Sequence, residues 1–301
     1  MASRIRLTIA LVLSIAVAVL EFWGGAVSHS LALTTDAVHV CMDVFALAIA
    51  LVAATGAMRP ANRRKTFGYG RIEVLGALVN GALLLGATAI LAYQAVLRFG
   101  APREPHGLMM TFVAAIGLVL NLVIAFTLLA GEHGHAHGHA HGGNLNLRAA
   151  LTHVAGDALG ALAVIAGGAI IAATGAAWID PLLSLFVAAI IVAGVTGVVR
   201  EAGDVLLEGA PPGIDGAEVE SKICTVGGIT GVHDLHLWTI GSGSHALSAH
   251  LLIEEGQLSQ GGQILARLRT LLRESYGISH VTIQLENEHC DPGGIIICRS
   301  E

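Results

Sequence analysis

Histidine and aspartate recur at one spacing in two places, His39-Val40-Cys41-Met42-Asp43 and His153-Val154-Ala155-Gly156-Asp157. Residues four apart on an α-helix share a face, so each motif presents an imidazole and a carboxylate in one direction. Imidazole nitrogen and carboxylate oxygen are ligands that Zn²⁺ accepts in a tetrahedral set of four. Two carboxylates also balance the divalent charge, which lowers the cost of taking a loaded site out of water. If the two helices face each other, His39, Asp43, His153 and Asp157 form a divalent-metal site. Cys41 points roughly 200° away around its helix and is expected to pack against lipid or a neighbouring helix. With imidazole in the set and thiolate absent, zinc is favoured over very soft ions. A single such motif would also fit a helix–helix hydrogen bond. Two copies, both at membrane depth, point to metal, because intramembrane ionisable groups are costly.

The elements that must carry these motifs are membrane helices. Only 13% of the 301 residues are charged, about half the usual share for a soluble domain, and mean hydropathy is +0.72. Between Leu7 and Met58 the only formally charged side chains are Glu21, Asp36 and Asp43. Apolar stretches of about 20 residues predict six spans, near Ile5–Val27, Leu31–Ala57, Ile72–Leu97, Leu108–Ala130, Leu147–Thr174 and Trp178–Val199. The first follows Arg4 and Arg6 as a signal peptide would, but its length favours a retained anchor. Placing the N-terminus inside puts Arg4, Arg6, Arg59, Arg63, Arg64, Lys65, Arg71, Arg148 and Arg200 on the cytoplasmic side, against Arg98 and Arg103 outside. Positive residues collect on the cytoplasmic side, so both termini are expected there. In that orientation Asp36 shares the His39 face nearer the outer end, either lining an exit path or standing as a wetted helix-end carboxylate. The net charge of −6 comes with no basic stripe that would suit nucleic acid.

From about Glu201 the composition becomes that of a soluble domain. Asp215–Val226 reads as a helix, Gly231–Ile240 and His245–Glu254 as strands, Gln257–Tyr276 as a helix and Ser279–Glu286 as a strand. The αββαβ order predicts a small, ferredoxin-like α+β sandwich with helices on one sheet face. Pro211-Pro212-Gly213 is a natural hinge. The expected division is a six-helix transmembrane domain over 1–205, including a histidine-rich cytoplasmic loop at 132–143, and a cytoplasmic metal-binding and dimerisation domain over 206–301.

Ordered motifs along nearly the whole chain resemble the cation diffusion facilitator family, in its zinc-transporting branch. They are Glu21-Phe22-Trp23-Gly24-Gly25 with Ser30-Leu31-Ala32-Leu33-Thr34-Thr35-Asp36-Ala37-Val38-His39, then Thr66-Phe67-Gly68-Tyr69-Gly70-Arg71-Ile72-Glu73-Val74-Leu75-Gly76-Ala77-Leu78-Val79-Asn80 at the third span. Gly142-Gly143-Asn144-Leu145-Asn146-Leu147-Arg148-Ala149-Ala150 resembles the approach to the fifth span, and Trp178-Ile179-Asp180-Pro181 the start of the sixth. The resemblance implies His39, Asp43, His153 and Asp157 as intramembrane ligands, a homodimer, and zinc as both cargo and regulatory ligand, with no organic cofactor. It also implies a multi-pass protein of the cell membrane, the inner one in bacteria. Zinc relatives often carry His where this chain has Gly70, so an accessory site between Met58 and Arg71 is not expected.

Further histidines fall in the cytoplasmic parts. His133, His135, His137, His139 and His141 alternate with Gly and Ala, a composition that chelates in many registers but packs no core. The tract reads as zinc capture or as a dispensable linker. In the soluble domain His233, His250 and Glu286 match the family's cytoplasmic zinc site, the alternative being scattered surface histidines. Regular alternation would send His233 to the face opposite His236. Of the four cysteines, Cys224, Cys290 and Cys298 lie in the presumed cytosolic part, where disulfides are disfavoured; with His289 the last two are loose candidates for metal.

The expected function is secondary active export of Zn²⁺ from the cytoplasm in exchange for protons, since proton and metal compete for neutral imidazole. No P-loop is present to supply ATP energy, and Gly156 and Gly160 beside Asp157 are expected to allow close helix approach. The alternatives are a membrane metal sensor without flux and an intramembrane zinc hydrolase. The hydrolase typically needs H-E-x-x-H and an open coordination position for water, which two H-x-x-x-D motifs do not supply. An enzyme is therefore not expected.

Overall fold

The computed structural model describes residues 2–101, 103–132, 142–241, 243–287 and 296–297, with the side chains of 1–8, 10, 128–153 and those after 287 outside the described set. His133, His135, His137, His139 and His141, the side chain of His153, and His289, Cys290 and Cys298 thus lie outside the described residues.

Six helices come first: α1 (Ala2–Ser28), α2 (Leu31–Ala57), α3 (Arg71–Gly100), α4 (Gly107–Glu132), α5 (Gly142–Thr174) and α6 (Ile179–Leu206). All six are long and apolar enough to cross a membrane. Leu33 of α2, Leu84 of α3, Met110 and Val113 of α4, Val164 of α5 and Val187 of α6 join in one buried cluster. Outside it, Val19, Phe45, Val52, Ile90, Phe112 and Phe126 are exposed. An apolar exterior of this kind suits hydrocarbon, and helices close their own backbone hydrogen bonds there.

Small residues set the closest helix contacts, at positions other than those expected. A Cβ on Gly168 of α5 would lie 2.5 Å from Thr111 Oγ1 of α4, and one on Gly24 of α1 would lie 2.7 Å from Val113 of α4. Both α1 and α5 pack against α4. At Gly156 and Gly160 an added Cβ would meet Ile190 at 3.7 Å and Val187 at 4.0 Å, ordinary contact. The branched side chains of α6 fill the space there, so close approach does not depend on those two glycines.

By compactness, residues 1–49 and 79–199 form one unit, and 50–78 with 200–301 form the other. The C-terminal end of α2, the N-terminal end of α3 and the loop joining them therefore group with residues 200–301. In this second unit Gly70 and Gly241 meet backbone to backbone: a Cβ on Gly241 would lie 2.8 Å from Gly70 Cα. Phe67 stacks edgewise on His280, with ring centroids 5.1 Å apart.

The C-terminal elements are α7 (Gly216–Ile223), β1 (Ile229–Gly241), β2 (Ser244–Ile253), α8 (Gly261–Tyr276), β3 (Ile278–Glu286) and β4 (Ile296–Ile297). Asp215 caps α7 by accepting from Ala217 N–H at 3.0 Å. The predicted helix from Gln257 is a 3₁₀ turn over Gln257–Gln260 followed by α8. Gly277, at φ 67°, ends α8 in the left-handed conformation. The sheet order is β3-β2-β1-β4. The β1–β2 pair is antiparallel and the β2–β3 pair parallel, as a crossover through α8 requires. Strand β4, only two residues long, adds to β1 and was too short to show as alternation in the sequence. Leu247 and Leu251 of β2, Ile264, Leu268 and Leu272 of α8 and Val219 and Ile223 of α7 make the core. The two helices thus cover one sheet face.

Candidate metal centre

The N-terminal end of α2 is fixed before its ionisable residues begin. Asp180, at the start of α6, is buried. It accepts from Ser30 Oγ at 2.6 Å and from the N–H groups of Leu31 at 2.8 Å and Ala32 at 3.2 Å. The first turn of a helix has N–H groups without intrahelical partners, and a carboxylate there satisfies them and suits the helix dipole. Arg98 of α3 completes the clamp, donating from Nη1 to Asp180 Oδ2 at 3.2 Å and to His29 C=O at 2.8 Å. One turn further, Thr35 and Ser184 share a 2.7 Å hydrogen bond. The sequence marked Asp180 only as part of a motif. Its capping role joins residues 150 apart and has no local signal.

With α2 so held, His39 faces α5. Its Nε2 lies 3.2 Å from Asp157 Oδ1 and 3.8 Å from Asp43 Oδ2. One imidazole nitrogen thus faces carboxylates from two helices. The three side chains are partly buried, at 12% exposure for His39, 36% for Asp43 and 23% for Asp157. His153 is one turn before Asp157 on α5, by its backbone. Asp36 is 5% exposed, so it is not a wetted helix-end carboxylate. Cys41 is a half-buried free thiol.

The second cluster forms on the sheet face that the helices leave uncovered. Antiparallel pairing sets His233 opposite His250, and the parallel pair brings Glu286 alongside Leu252. Glu286 Oε2 lies 3.0 Å from His233 Nε2, and Oε1 lies 2.8 Å from His250 Nδ1. Gln284 Nε2 donates to Oε1 at 2.9 Å. Among the described residues, only His233, His250 and Glu286 form a set of three whose ligand atoms all lie within 4.8 Å of one another. Burial by itself would raise the Glu286 carboxyl above its ordinary range; hydrogen bonds from His233 and His250 outweigh it and hold the group low.

Strand alternation does not separate His233 from His236 as expected. The β1 register shifts between them, and Asp234 takes φ 52°, the mark of a bulge. Val232, Leu235 and Leu237 all pack on the core, so the shift puts two residues between the first two inward positions, and both histidines belong to the uncovered face. They still do not share a site, because His236 is exposed and bonds Asp234 Oδ1 at 2.9 Å. Cys224 is disulfide-bonded, contrary to the reduced thiol expected for a cytosolic domain.

These features agree with the family resemblance when whole sequences are compared. Residues 7–207 match the cation efflux transmembrane domain, and residues 211–288 match the cytoplasmic domain of cation efflux proteins. The chain is 37% identical over 282 residues to a cadmium, cobalt and zinc/H⁺-K⁺ antiporter of Bacillus subtilis, covering 93% of this chain and 88% of that one. It is 36% identical over 285 residues to the metal cation efflux protein CzcD of Cupriavidus metallidurans, covering 95% and 87%. The zinc transporter ZitB of Yersinia pestis is 35% identical over 286 residues, covering 95% and 88%. Those proteins are transporters, not enzymes. Two matched domains spanning most of the chain, together with relatives of this identity and coverage, make it a multi-pass membrane protein of the cation efflux, or cation diffusion facilitator, family.

Proposed function

We propose that this protein exports Zn²⁺ from the cytoplasm and carries protons inward in exchange. The observation that carries this reading is the position of His39 Nε2 between Asp157 and Asp43, on helices long enough to span a membrane. His39, Asp43, His153 and Asp157 hold the ion in transit, residues 1–205 forming the transport domain. A neutral imidazole offers its lone pair to zinc; once protonated, the same nitrogen offers an N–H to carboxylate instead. Binding a proton therefore expels zinc from the histidine. The Bacillus relative, whose name includes H⁺ antiport, supports protons as the counter-ion.

His233, His250 and Glu286 in residues 206–301 bind a further zinc ion with a regulatory role, and His133, His135, His137, His139 and His141 gather zinc at the cytoplasmic entrance. Both termini face the cytoplasm, and the protein works as a homodimer in the cell membrane, on the strength of family membership and loop charge. Purified protein reconstituted into sealed vesicles tests the function. Zinc should enter vesicles whose interior is acidic, through molecules with their cytoplasmic side outward. Protein that binds zinc but moves none across the bilayer would instead be a sensor.

A further inference from the structure

Glu21 of α1 is an ionisable group the exchange as described does not use. It is 1% exposed, and its Oε2 has no hydrogen-bond partner. Its Oε1 fills a notch left by Gly117 of α4, where any side chain would collide with it. After burial itself, the charges that bear on it are those of Asp36 of α2 and Asp157 of α5. The charges of His39, Asp43 and Asp157 in turn act on Asp36. Between Gly107 and Thr127 α4 brings no ionisable side chain, and α1 has no other between Leu7 and Ser28.

An ionised carboxylate out of water is costly, and like charges nearby raise the cost further. A proton on the carboxyl or a cation close by removes it. Glu21 belongs to no three-ligand set among the described residues, so it is not itself a built metal site. It is instead a buried acid whose charge answers to the charge on Asp157, one of the proposed zinc ligands. We propose that Glu21 carries a proton of the exchange, its occupancy coupled through Asp36 and Asp157 to that of the zinc site. This rests on the export reading above.

The balance is simple. With the zinc site empty, burial without a hydrogen-bond partner on Oε2 favours one proton on Glu21, and negative charge on Asp36 and Asp157 adds to that preference. Zn²⁺ arriving from the cytoplasm reverses that field; the O–H bond breaks, its electron pair stays on oxygen, and the proton leaves to cytoplasmic water. When Zn²⁺ departs outward the carboxylate takes one proton from the outer side and the O–H bond reforms. Each cycle moves one Zn²⁺ out and one proton in by way of Glu21, besides any proton exchanged at the histidines.

Calorimetric titration of the full-length protein with ZnCl₂, in buffers of different ionisation heat, counts protons released per zinc bound. Wild type should release about one more than Glu21→Gln, as linkage between the two sites requires, and Glu21→Asp should restore the release. Equal release from wild type and Glu21→Gln would overturn the proposal. Infrared difference spectra supply a second readout on wild type alone. Zinc binding should remove the carbonyl band of a protonated carboxylic acid, and in Glu21→Asp that band should shift. Persistence of the band with zinc bound would overturn the proposal even if Glu21→Gln failed to fold. A wild-type protein that binds zinc without transporting it would refute export while leaving the proton count measurable.

Discussion

One nitrogen, His39 Nε2, cannot hold a proton and a cation at the same time, and its distances to Asp157 and Asp43 let it serve either. Asp157→Ala removes one of the two negative ligands proposed for zinc and would leave its charge half balanced. Zinc uptake into vesicles should drop to the protein-free background while the variant keeps a wild-type melting profile; substantial uptake would remove Asp157 from the transport site. His39→Asp exchanges a borderline nitrogen for a hard oxygen. Manganese and cadmium should then compete better with zinc for uptake, and unchanged competition would move selectivity to other residues. Glu286 makes a prediction outside the membrane. Its carboxyl is held low in the folded state, so its stabilising contribution is present above the ordinary carboxylate pKa and is lost as pH falls through the lower folded value. Glu286→Gln should flatten that acid limb in melting curves of the zinc-free protein. It should also weaken zinc binding by more than about 10-fold, the low end of what losing a supporting partner costs a metal site.

At the scale of elements, α2 owes its setting to a carboxylate on α6. Asp180→Ala would strip the partner from three donors at the start of α2 and leave Arg98 without its carboxylate. The expected loss is about 3–5 kcal/mol, the range for removing one partner of a buried ion pair, read as a lower melting temperature. A variant as stable as wild type would mean that α2 is held by packing alone. This clamp shows where sequence reading stops. The six spans were legible because hydrocarbon demands long apolar runs, and the His–Asp spacing because one helical turn imposes it. His233, His250 and Glu286 were legible by likeness to the family pattern. The bulge at Asp234 was not, because a register shift is decided by pairing with β2 and leaves the residue types unchanged. The same holds for the helix contacts: glycines beside Asp157 looked suited to close approach, yet tighter contacts fall at positions such as Gly24, Gly167 and Gly168, chosen by which helices become neighbours.

For the whole molecule, the proposed capture, binding and coupling should be separable. Deleting 132–141 leaves His39, Asp43, His153 and Asp157 in the chain. Flux at saturating zinc should therefore persist, while the zinc concentration giving half-maximal uptake rises; abolished flux in a folded deletion would show that the tract does more than concentrate ions. Coupling is the property on which the proposed function depends most. The most direct test is zinc accumulation in sealed vesicles with and without an imposed proton gradient, membrane potential being matched. Zinc should accumulate against its own gradient on the acidic side only when the proton gradient is present, and its movement should in turn shift the internal pH. Equal zinc accumulation with and without the gradient would contradict proton-coupled export and make the protein a passive path for zinc.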